Sequence, residues 1–227
     1  KVAINHPLGK NLVGSFYQPK AVIYDVTTLE TLSLKEKRSG FAEIIKHACI
    51  QDDRLLKQLM SDVTSLESID NNILLHSIKR GIEIKANIVE ADEQETGIRS
   101  YLNYGHTLAH AIESEAGYGE ITHGEAVVIG MLFAIQMGEA IYQHNPIPKT
   151  FKSWLDTLGY PITTVASLSR DALVNRMKSD KKNREGNINM VLLKDVASPE
   201  LVPITEETLA SQLEIFQKEV SLNDQRF

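Results

Sequence analysis

The sequence has very little cysteine: Cys49 is the only one in 227 residues, so no internal disulfide can form. A lone cysteine is typical of proteins in a reducing compartment. The first residues contain no apolar segment of the kind found in signal peptides. No apolar run reaches the roughly 18 residues that a membrane-spanning helix needs. These absences predict a cytoplasmic protein with no membrane partner.

The chain also lacks the excess of positive charge that nucleic-acid binding requires. Its net charge is −6, with 24 Lys and Arg against 30 Asp and Glu. Hydrophobic residues (42%) and charged residues (24%) are near the globular average, which excludes extensive disorder. A Gly-x-Gly-x-x-Gly nucleotide-binding turn is absent as well. The sequence therefore predicts an enzyme, or part of one, with one large or two small globular domains and no nucleic-acid partner.

Hydrophobic periodicity predicts a mainly α fold, with apolar residues spaced three and four apart. The predicted helices are 33–48, opened by a capping box at Ser33 and Glu36, then 73–89, 100–116, 124–142, 151–158, 170–178 and 206–218. Runs rich in β-branched or apolar residues predict short strands near 20–25 and 187–193. The glycine-flanked segment 9–14 predicts a loop. We place the domain boundary between 1–32, a loop and strand segment, and 33–227, a helical domain.

The densest polar cluster lies in residues 97–110. If helical geometry extends that far, Arg99, Asn103, His106 and His110 share a face roughly 60° wide. His-x-x-x-His is also a spacing that brings two imidazoles to one metal ion, although two incidental histidines would give the same pattern. His123, at the start of the apolar helix, is either a third ligand from another segment or a residue without a role.

Glu43 and Lys46 lie three apart in an otherwise apolar helix. An unpaired buried charge costs several kcal/mol, so each needs a partner. Either they form a mutual salt bridge, or Glu43 faces a metal and Lys46 an anion. Two further basic segments, Lys10-Asn11 and 180–183, are of the kind that bind phosphate.

These residues occur in blocks that resemble the 3-dehydroquinate synthase family, in the family's order. The blocks are Gly9-Lys10-Asn11 with Gln18-Pro19-Lys20, Gly40-Phe41-Ala42-Glu43-Ile44-Ile45-Lys46, Asp92-Glu93-x-Glu95-x-Gly97-x-Arg99, Leu102-Asn103-x-Gly105-His106-x-x-x-His110 and His123-Gly124-Glu125. They cover most of residues 1–135, and Asp180-Lys181-Lys182-Asn183 extends the match. The resemblance implies the multihelical C-terminal domain of this family, with a few short strands.

The resemblance also implies a set of site residues. One divalent metal, zinc or cobalt, would be held by Glu43, His106 and His123, so that His110 faces the substrate instead. The implied substrate contacts are Lys46, Lys85, Arg99, Asn103, His110 and a lysine of the Lys181-Lys182 pair, of which we favour Lys181. The implied contacts on the NAD and phosphate side are Lys1, Lys10, Asn11, Thr28, Leu29, Glu30 and Thr31.

The activity implied by the resemblance is a step of the shikimate pathway towards aromatic amino acids. It converts 3-deoxy-D-arabino-heptulosonate 7-phosphate into 3-dehydroquinate and phosphate by transient oxidation with NAD, β-elimination, re-reduction, ring opening and aldol closure. Family members have an N-terminal NAD-binding domain before the point where this chain begins. We therefore expect residues 1–32 to complete that missing domain and this chain alone to be inactive. For the full-length enzyme the resemblance implies a homodimer.

Three other functions stay open at this point. A related sugar-phosphate cyclase, an inosose or valiolone synthase, would use the same cofactors, but Arg99 and Asn103 suit a substrate that carries a carboxylate. A metal-dependent polyol dehydrogenase would release NADH. A non-catalytic helical module would bind metal but no phosphorylated ligand.

Overall fold

The computed structural model describes residues 2–6, 9–15, 17–117, 119–179 and 187–224. The chain divides into two compact units, residues 1–31 and residues 32–227. In the first unit, strand β1 (Val2–His6) pairs antiparallel with strand β2 (Gly9–Ser15), and a 3-10 turn lies at Val26–Thr31. The second unit contains the convergent side chains described below.

The second unit is mainly α-helical, as the periodicity predicts. Its helices are α1 (Leu34–Gln51), α2 (Asp53–Asp62), α3 (Asn71–Ala91), α4 (His106–Ala116), α5 (His123–Tyr142), α6 (Phe151–Thr157), α7 (Arg170–Ser179) and α8 (Glu206–Asp224). Short 3-10 segments lie at Ile98–Asn103 and Ile162–Ser167. Strand β3 (Ile188–Asp195) pairs antiparallel with β4 (Ser198–Ile204), so the strand predicted at 187–193 is confirmed.

Two predictions for the first unit are wrong. Residues 20–25 form no strand, and Val22, Ile23 and Tyr24 are 58%, 92% and 57% exposed. An apolar, β-branched run becomes a strand only where a neighbour pairs with it, and in the described residues of this unit the pairing is between β1 and β2. The segment 9–14, expected to be a loop, is strand β2 for the same reason, because β1 supplies its partner.

The helix predicted over 100–116 is interrupted at Gly105. This glycine has φ +80° and precedes the first residue of α4, His106. Glycine adopts this left-handed conformation without the steric cost that other residues incur. Arg99 and Asn103 consequently lie on the preceding 3-10 segment, and the single helical face expected for these residues and the two histidines does not form.

Helix α5 is the centre of the second unit, with α1, α4, α8 and β3 packed against it. Its start is fixed by a capping box, in which Thr122 and Glu125 each accept a hydrogen bond from the other's backbone amide. Among the described residues, only α5 is long and apolar enough by composition to cross a membrane, and 72% of that stretch is buried inside the protein. Its apolar character is therefore explained by its central position.

Two glycines let other elements reach the backbone of α5. A Cβ atom at Gly124 would lie 2.0 Å from the carbonyl oxygen of Ser39 on α1, and one at Gly130 would lie 1.9 Å from the carbonyl oxygen of Gly105. A side chain cannot be accommodated at such distances. A salt bridge also joins α1 to α5, because Nη2 of Arg38 lies 2.7 Å from Oε1 of Glu125. Both α1 and the start of α4 are thus held directly against α5.

We expect Gly130→Ala to destabilise the protein, because the new methyl group overlaps the Gly105 carbonyl and displaces α4 from α5. Overpacking of this kind costs about 1–3 kcal/mol or more in the free energy of unfolding, measurable by urea denaturation. Gly138→Ala on the same helix is the control, since its Cβ meets its nearest neighbour at an ordinary 3.6 Å. Equal stability of the two variants would contradict this account of the packing.

Candidate metal centre

Three polar side chains from three helices converge in the second unit. Glu43 lies on α1, His106 is the first residue of α4 and His123 is the first residue of α5. A carboxylate oxygen of Glu43 and one ring nitrogen from each histidine all lie within 4.8 Å of one another. Two imidazoles and a carboxylate form a ligand set that divalent zinc takes in catalytic sites.

The two carboxylate oxygens of Glu43 differ in their surroundings within the described residues. Its Oε2 atom accepts a hydrogen bond from Lys46 Nζ at 2.7 Å, which is the predicted salt bridge. Its Oε1 atom is buried and has no hydrogen-bond partner among the described residues. Burial, the largest single effect, raises the pKa of Glu43, but the charge and hydrogen bond of Lys46, together with the smaller effects of His106 and His47, lower that pKa to about 2. A buried, ionised oxygen without a partner is costly, and a bound cation would remove that cost.

Both histidines use their Nδ1 atoms for local hydrogen bonds. Nδ1 of His106 is 3.1 Å from the carbonyl oxygen of Tyr104, and Nδ1 of His123 is 3.0 Å from Oε2 of Glu113. A carbonyl oxygen can only accept, so Nδ1 of His106 carries a proton, and the Glu113 carboxylate is likewise an acceptor for a proton on Nδ1 of His123. In the neutral form of each ring, this arrangement leaves the lone pair on Nε2. Burial, followed by the charge of Lys46, lowers the pKa of His106 to about 3, so the ring is neutral at pH 7, as a metal ligand must be.

His110 lies one helical turn after His106, on the exposed side of the cluster. Its ring centroid is 5.5 Å from that of His106 and 6.1 Å from that of His123. The geometry groups His106 with Glu43 and His123, rather than pairing it with His110 as the spacing suggested. His110 belongs instead to a second group, with Glu113 and His123, whose donor atoms also lie within 4.8 Å of one another.

The two predicted lysines on α1 and α3 differ in their surroundings. Lys46 is 2% exposed, and burial lowers the pKa of its ammonium group although Glu43 opposes the change. Lys85 is exposed on α3, and its charge also disfavours protonation of Lys46. Lys46 therefore sits against the candidate ligand Glu43, while Lys85 adds positive charge from a neighbouring helix.

Arg99 and Asn103 are held by the loop that precedes α4. The Arg99 guanidinium donates to the carbonyl oxygen of Glu93, and Asn103 Nδ2 donates to Oε1 of Glu95 at 3.1 Å. The Asp92 carboxylate shapes this loop by accepting from three backbone amides, including that of Arg99 at 3.0 Å. The contacts found for both side chains are thus within their own loop, and their role towards a substrate stays a prediction.

Several predicted residues are not placed by the structure. Lys1, Lys181 and Lys182 lie outside the described residues, as do the side chains of Lys10 and Asn11 in strand β2. The segment Thr28–Thr31 belongs to the 3-10 turn of the first unit, where Thr28 Oγ1 donates to the carbonyl oxygen of Asp25 at 2.6 Å. Their contacts with NAD and phosphate stay predictions.

Sequence reasoning missed three side chains close to the predicted site. Glu113 was detectable in principle, since it lies three residues after His110 and so on the same side of α4. Arg38 pairs with Glu125 across 87 residues, which no local pattern indicates. His47 is buried next to Lys46, and its Nε2 atom has no hydrogen-bond partner among the described residues.

Comparison with known proteins gives matches along most of the chain. The family model described as 3-dehydroquinate synthase C-terminal matches residues 40–183, and the one described as 3-dehydroquinate synthase N-terminal matches residues 1–39. The 3-dehydroquinate synthase of Geobacillus thermodenitrificans is 48% identical over 219 residues, and that of Bacillus cytotoxicus is 48% identical over 225 residues. These alignments cover 96% and 99% of this chain but only 60% and 61% of the relatives.

Solved structures of sugar-phosphate cyclases share the fold. A 2-deoxy-scyllo-inosose synthase complexed with carbaglucose-6-phosphate, NAD+ and Co2+ aligns with a TM-score of 0.78 and 27% identity, covering 94% of this chain and 60% of that one. A 2-epi-5-epi-valiolone synthase from Streptomyces hygroscopicus, with NAD+ and Zn2+ bound, aligns with a TM-score of 0.81 over 96% of this chain and 61% of that one. Its identity of 20% makes it evidence for the fold alone.

The buried histidine His47 predicts a loss of stability in acid. Burial, assisted by the charge of Lys46, lowers the pKa of His47 from 6.5 to about 3. As the pH falls, His47 is therefore protonated in the unfolded chain before it is protonated in the folded chain. The contribution of the neutral His47 to the free energy of unfolding is complete above pH 6.5 and is lost as the pH falls towards 3. Titration of this one group changes the free energy of unfolding by at most about 1.4 kcal/mol per pH unit.

We expect His47→Phe to reduce this slope, because the phenyl ring takes up no proton. Urea unfolding of the protein with a chelator present, at several pH values between 7 and 4, measures it. His76→Phe, which changes an exposed histidine on α3, is the control and should keep the slope of the original chain. An unchanged slope in His47→Phe would show that His47 does not contribute.

Proposed function

This chain belongs to the 3-dehydroquinate synthase family, and we propose that it forms the metal- and substrate-binding part of a 3-dehydroquinate synthase. The proposed reaction converts 3-deoxy-D-arabino-heptulosonate 7-phosphate into 3-dehydroquinate and phosphate. The observation that carries the proposal is the convergence of Glu43, His106 and His123, together with a buried Glu43 oxygen for which the described part of the chain offers no hydrogen-bond partner. Because the chain spans about 60% of the length of its relatives, the complete reaction is proposed for the whole protein.

Glu43, His106 and His123 are the residues that would hold the divalent ion, zinc or cobalt. When bound, such an ion acts as a Lewis acid on substrate oxygens, and NAD accepts and returns a hydride. The ionised Glu43 would supply the negative charge that compensates the cation, and His106, which burial keeps neutral, and His123 would each supply a ring nitrogen. Lys46 keeps Glu43 oriented through its 2.7 Å bond to Oε2, so that Oε1 stays directed away from this bond.

The substrate carries a carboxylate and a phosphate, and we assign both to cationic side chains of this chain. Arg99 suits the planar carboxylate, because a guanidinium donates two parallel hydrogen bonds. Lys46, Lys85 and Lys181 supply point charges, and Asn103 is able to bond a hydroxyl group. His110, exposed beside His106, is proposed to move a proton to or from the substrate through a ring nitrogen.

The remaining assignments are supported by resemblance. NAD as the second cofactor, contacted by Lys1, Lys10, Asn11 and the segment 28–31, is consistent with the NAD+ in the two cyclase structures. A cytoplasmic location is supported by the buried free thiol of Cys49. The homodimer rests on the family resemblance alone.

A related sugar-phosphate cyclase is the second candidate, because the fold likeness to the inosose synthase is close. Identity favours the first proposal, at 48% to two 3-dehydroquinate synthases against 27% to the inosose synthase. The substrate's carboxylate is the chemical difference that separates the two candidates, and Arg99 is the side chain proposed to recognise it.

We expect the chain to retain one zinc ion after dialysis, and His106→Ala or His123→Ala to lose it, since each change removes one of three donors. Elemental analysis of the dialysed proteins measures this. His76→Ala, on the surface of α3, is the control and should retain the ion. Unchanged zinc content in either site variant would remove that histidine from the ligand set.

Catalysis is best tested by joining this chain to the part of the Geobacillus relative that it does not span. We expect this protein, with NAD and zinc or cobalt, to release phosphate from 3-deoxy-D-arabino-heptulosonate 7-phosphate without accumulating NADH. His110→Ala should keep the metal and lose roughly 10²–10⁴ in rate, as expected for a proton-transfer group. Phosphate release only from substrates without a carboxylate would favour the second candidate, and NADH accumulation would indicate a dehydrogenase.

A further inference from the structure

We propose that Glu113 is a positioning residue of the metal centre, which holds the His123 ring so that its Nε2 atom is available to the ion. The inference rests on the proposed metal site and deepens it. Oε2 of Glu113 lies 3.0 Å from Nδ1 of His123, a hydrogen bond between helix α4 and the first residue of α5. The contact therefore links two of the three elements that supply ligands.

Helix α4 brings Glu113 to the correct side of the molecule. At about 100° per residue, Glu113 lies two turns beyond His106 and almost directly in line with it. One face of α4 thus carries both the candidate ligand His106, at the start of the helix, and Glu113, which bonds the candidate ligand His123. The contact therefore couples the orientation of the His123 ring to the position of the helix that carries His106.

His123 needs such a partner more than His106 does. The His123 side chain is 42% exposed, whereas that of Glu113 is 17% exposed. A ring with this much solvent access is able to occupy several rotamers unless a hydrogen bond selects one. His106 is more deeply buried, and Tyr104, only two residues away, supplies its carbonyl partner from the same stretch of chain.

The carboxylate also fixes the chemistry of the ring. An ionised Glu113 can only accept, so it selects the tautomer with the proton on Nδ1 and the lone pair on Nε2. A carboxylate partner increases the electron density on the imidazole and makes it a stronger metal ligand, which is how such outer carboxylates act in other metal sites. Glu113 therefore acts on the ion through His123 and does not touch it.

A second cation held by Glu113 itself is the competing interpretation. Donor atoms of His110, Glu113 and His123 also lie within 4.8 Å of one another. An ion at that position would have Glu113 as a direct ligand, whereas in the structure Glu113 bonds Nδ1 of His123. The observed hydrogen bond favours the positioning role, and the number of ions bound per chain separates the two.

The test compares Glu113→Ala and Glu113→Gln with Glu115→Ala as the matched control. Glu115 lies on the same helix and bonds Arg176 at 2.7 Å, so its removal costs a charge and an ion pair away from His123. Zinc affinity is measured by competition with a chromophoric chelator, and bound cobalt reports the ligand set through its visible spectrum. Thermal unfolding of the metal-free proteins measures the purely structural effect.

We expect Glu113→Ala to bind zinc about 10–100-fold more weakly than the original chain. Glu113→Gln should lose less zinc affinity, because its amide oxygen still accepts a hydrogen bond from His123. Glu115→Ala should bind zinc as tightly as the original chain. Bound cobalt should keep one spectrum in all of these proteins, unlike in His123→Ala. Equal zinc affinity in Glu113→Ala and Glu115→Ala would overturn the proposal. Two ions in the original chain and one in Glu113→Ala would overturn it in favour of a second site, whereas no ion in the original chain would refute the proposed metal centre itself.

Discussion

The candidate metal centre depends on two backbone contacts made by glycine. The carbonyl of Ser39 meets α5 at Gly124, and the carbonyl of Gly105 meets it at Gly130, each at a distance that leaves no room for a Cβ atom. Because Glu43 lies one turn beyond Ser39, and His106 directly follows Gly105, these contacts determine how far both donors stand from His123. Backbone packing thus sets how closely the three helices approach each other, and the hydrogen bond of Glu113 orients the His123 ring within that frame.

The charges around this cluster favour the protonation states that Glu43 and His106 need in order to bind a cation. Burial favours the neutral forms of Glu43 and His106, but only the histidine becomes neutral, because Lys46 keeps the carboxylate ionised. The same ammonium group disfavours protonation of His106. The buried lysine therefore acts on both groups in the direction that metal binding requires, and for His106 its charge adds to the larger effect of burial. Its bond to Oε2 of Glu43 also leaves the other carboxylate oxygen as the one that needs a partner.

Periodicity was sufficient to predict all of the described helices except α2 (Asp53–Asp62), and the family resemblance supplied the convergent residues, but neither gave the details that depend on long-range contacts. The capping pair Thr122 and Glu125 is readable from local spacing and was overlooked, although it defines the start of α5 at His123. The break at Gly105 was not predictable from periodicity, because the apolar pattern continues across it and close contact with α5 decides it. The strand expected at 20–25 failed for a related reason, since pairing depends on a neighbour that a local pattern does not contain.

The division of the chain into two units separates two parts of the proposed chemistry. All three candidate metal ligands, and Glu113 with them, lie in the unit formed by residues 32–227. The segment 28–31, which the resemblance places on the NAD side, lies in the unit formed by residues 1–31. Metal binding is therefore a property that the helical unit should possess by itself, because the three candidate donors found among the described residues all belong to it. The hydride transfer proposed for the whole protein additionally requires the nucleotide, and the contacts that the resemblance implies for it include the segment 28–31 of the first unit.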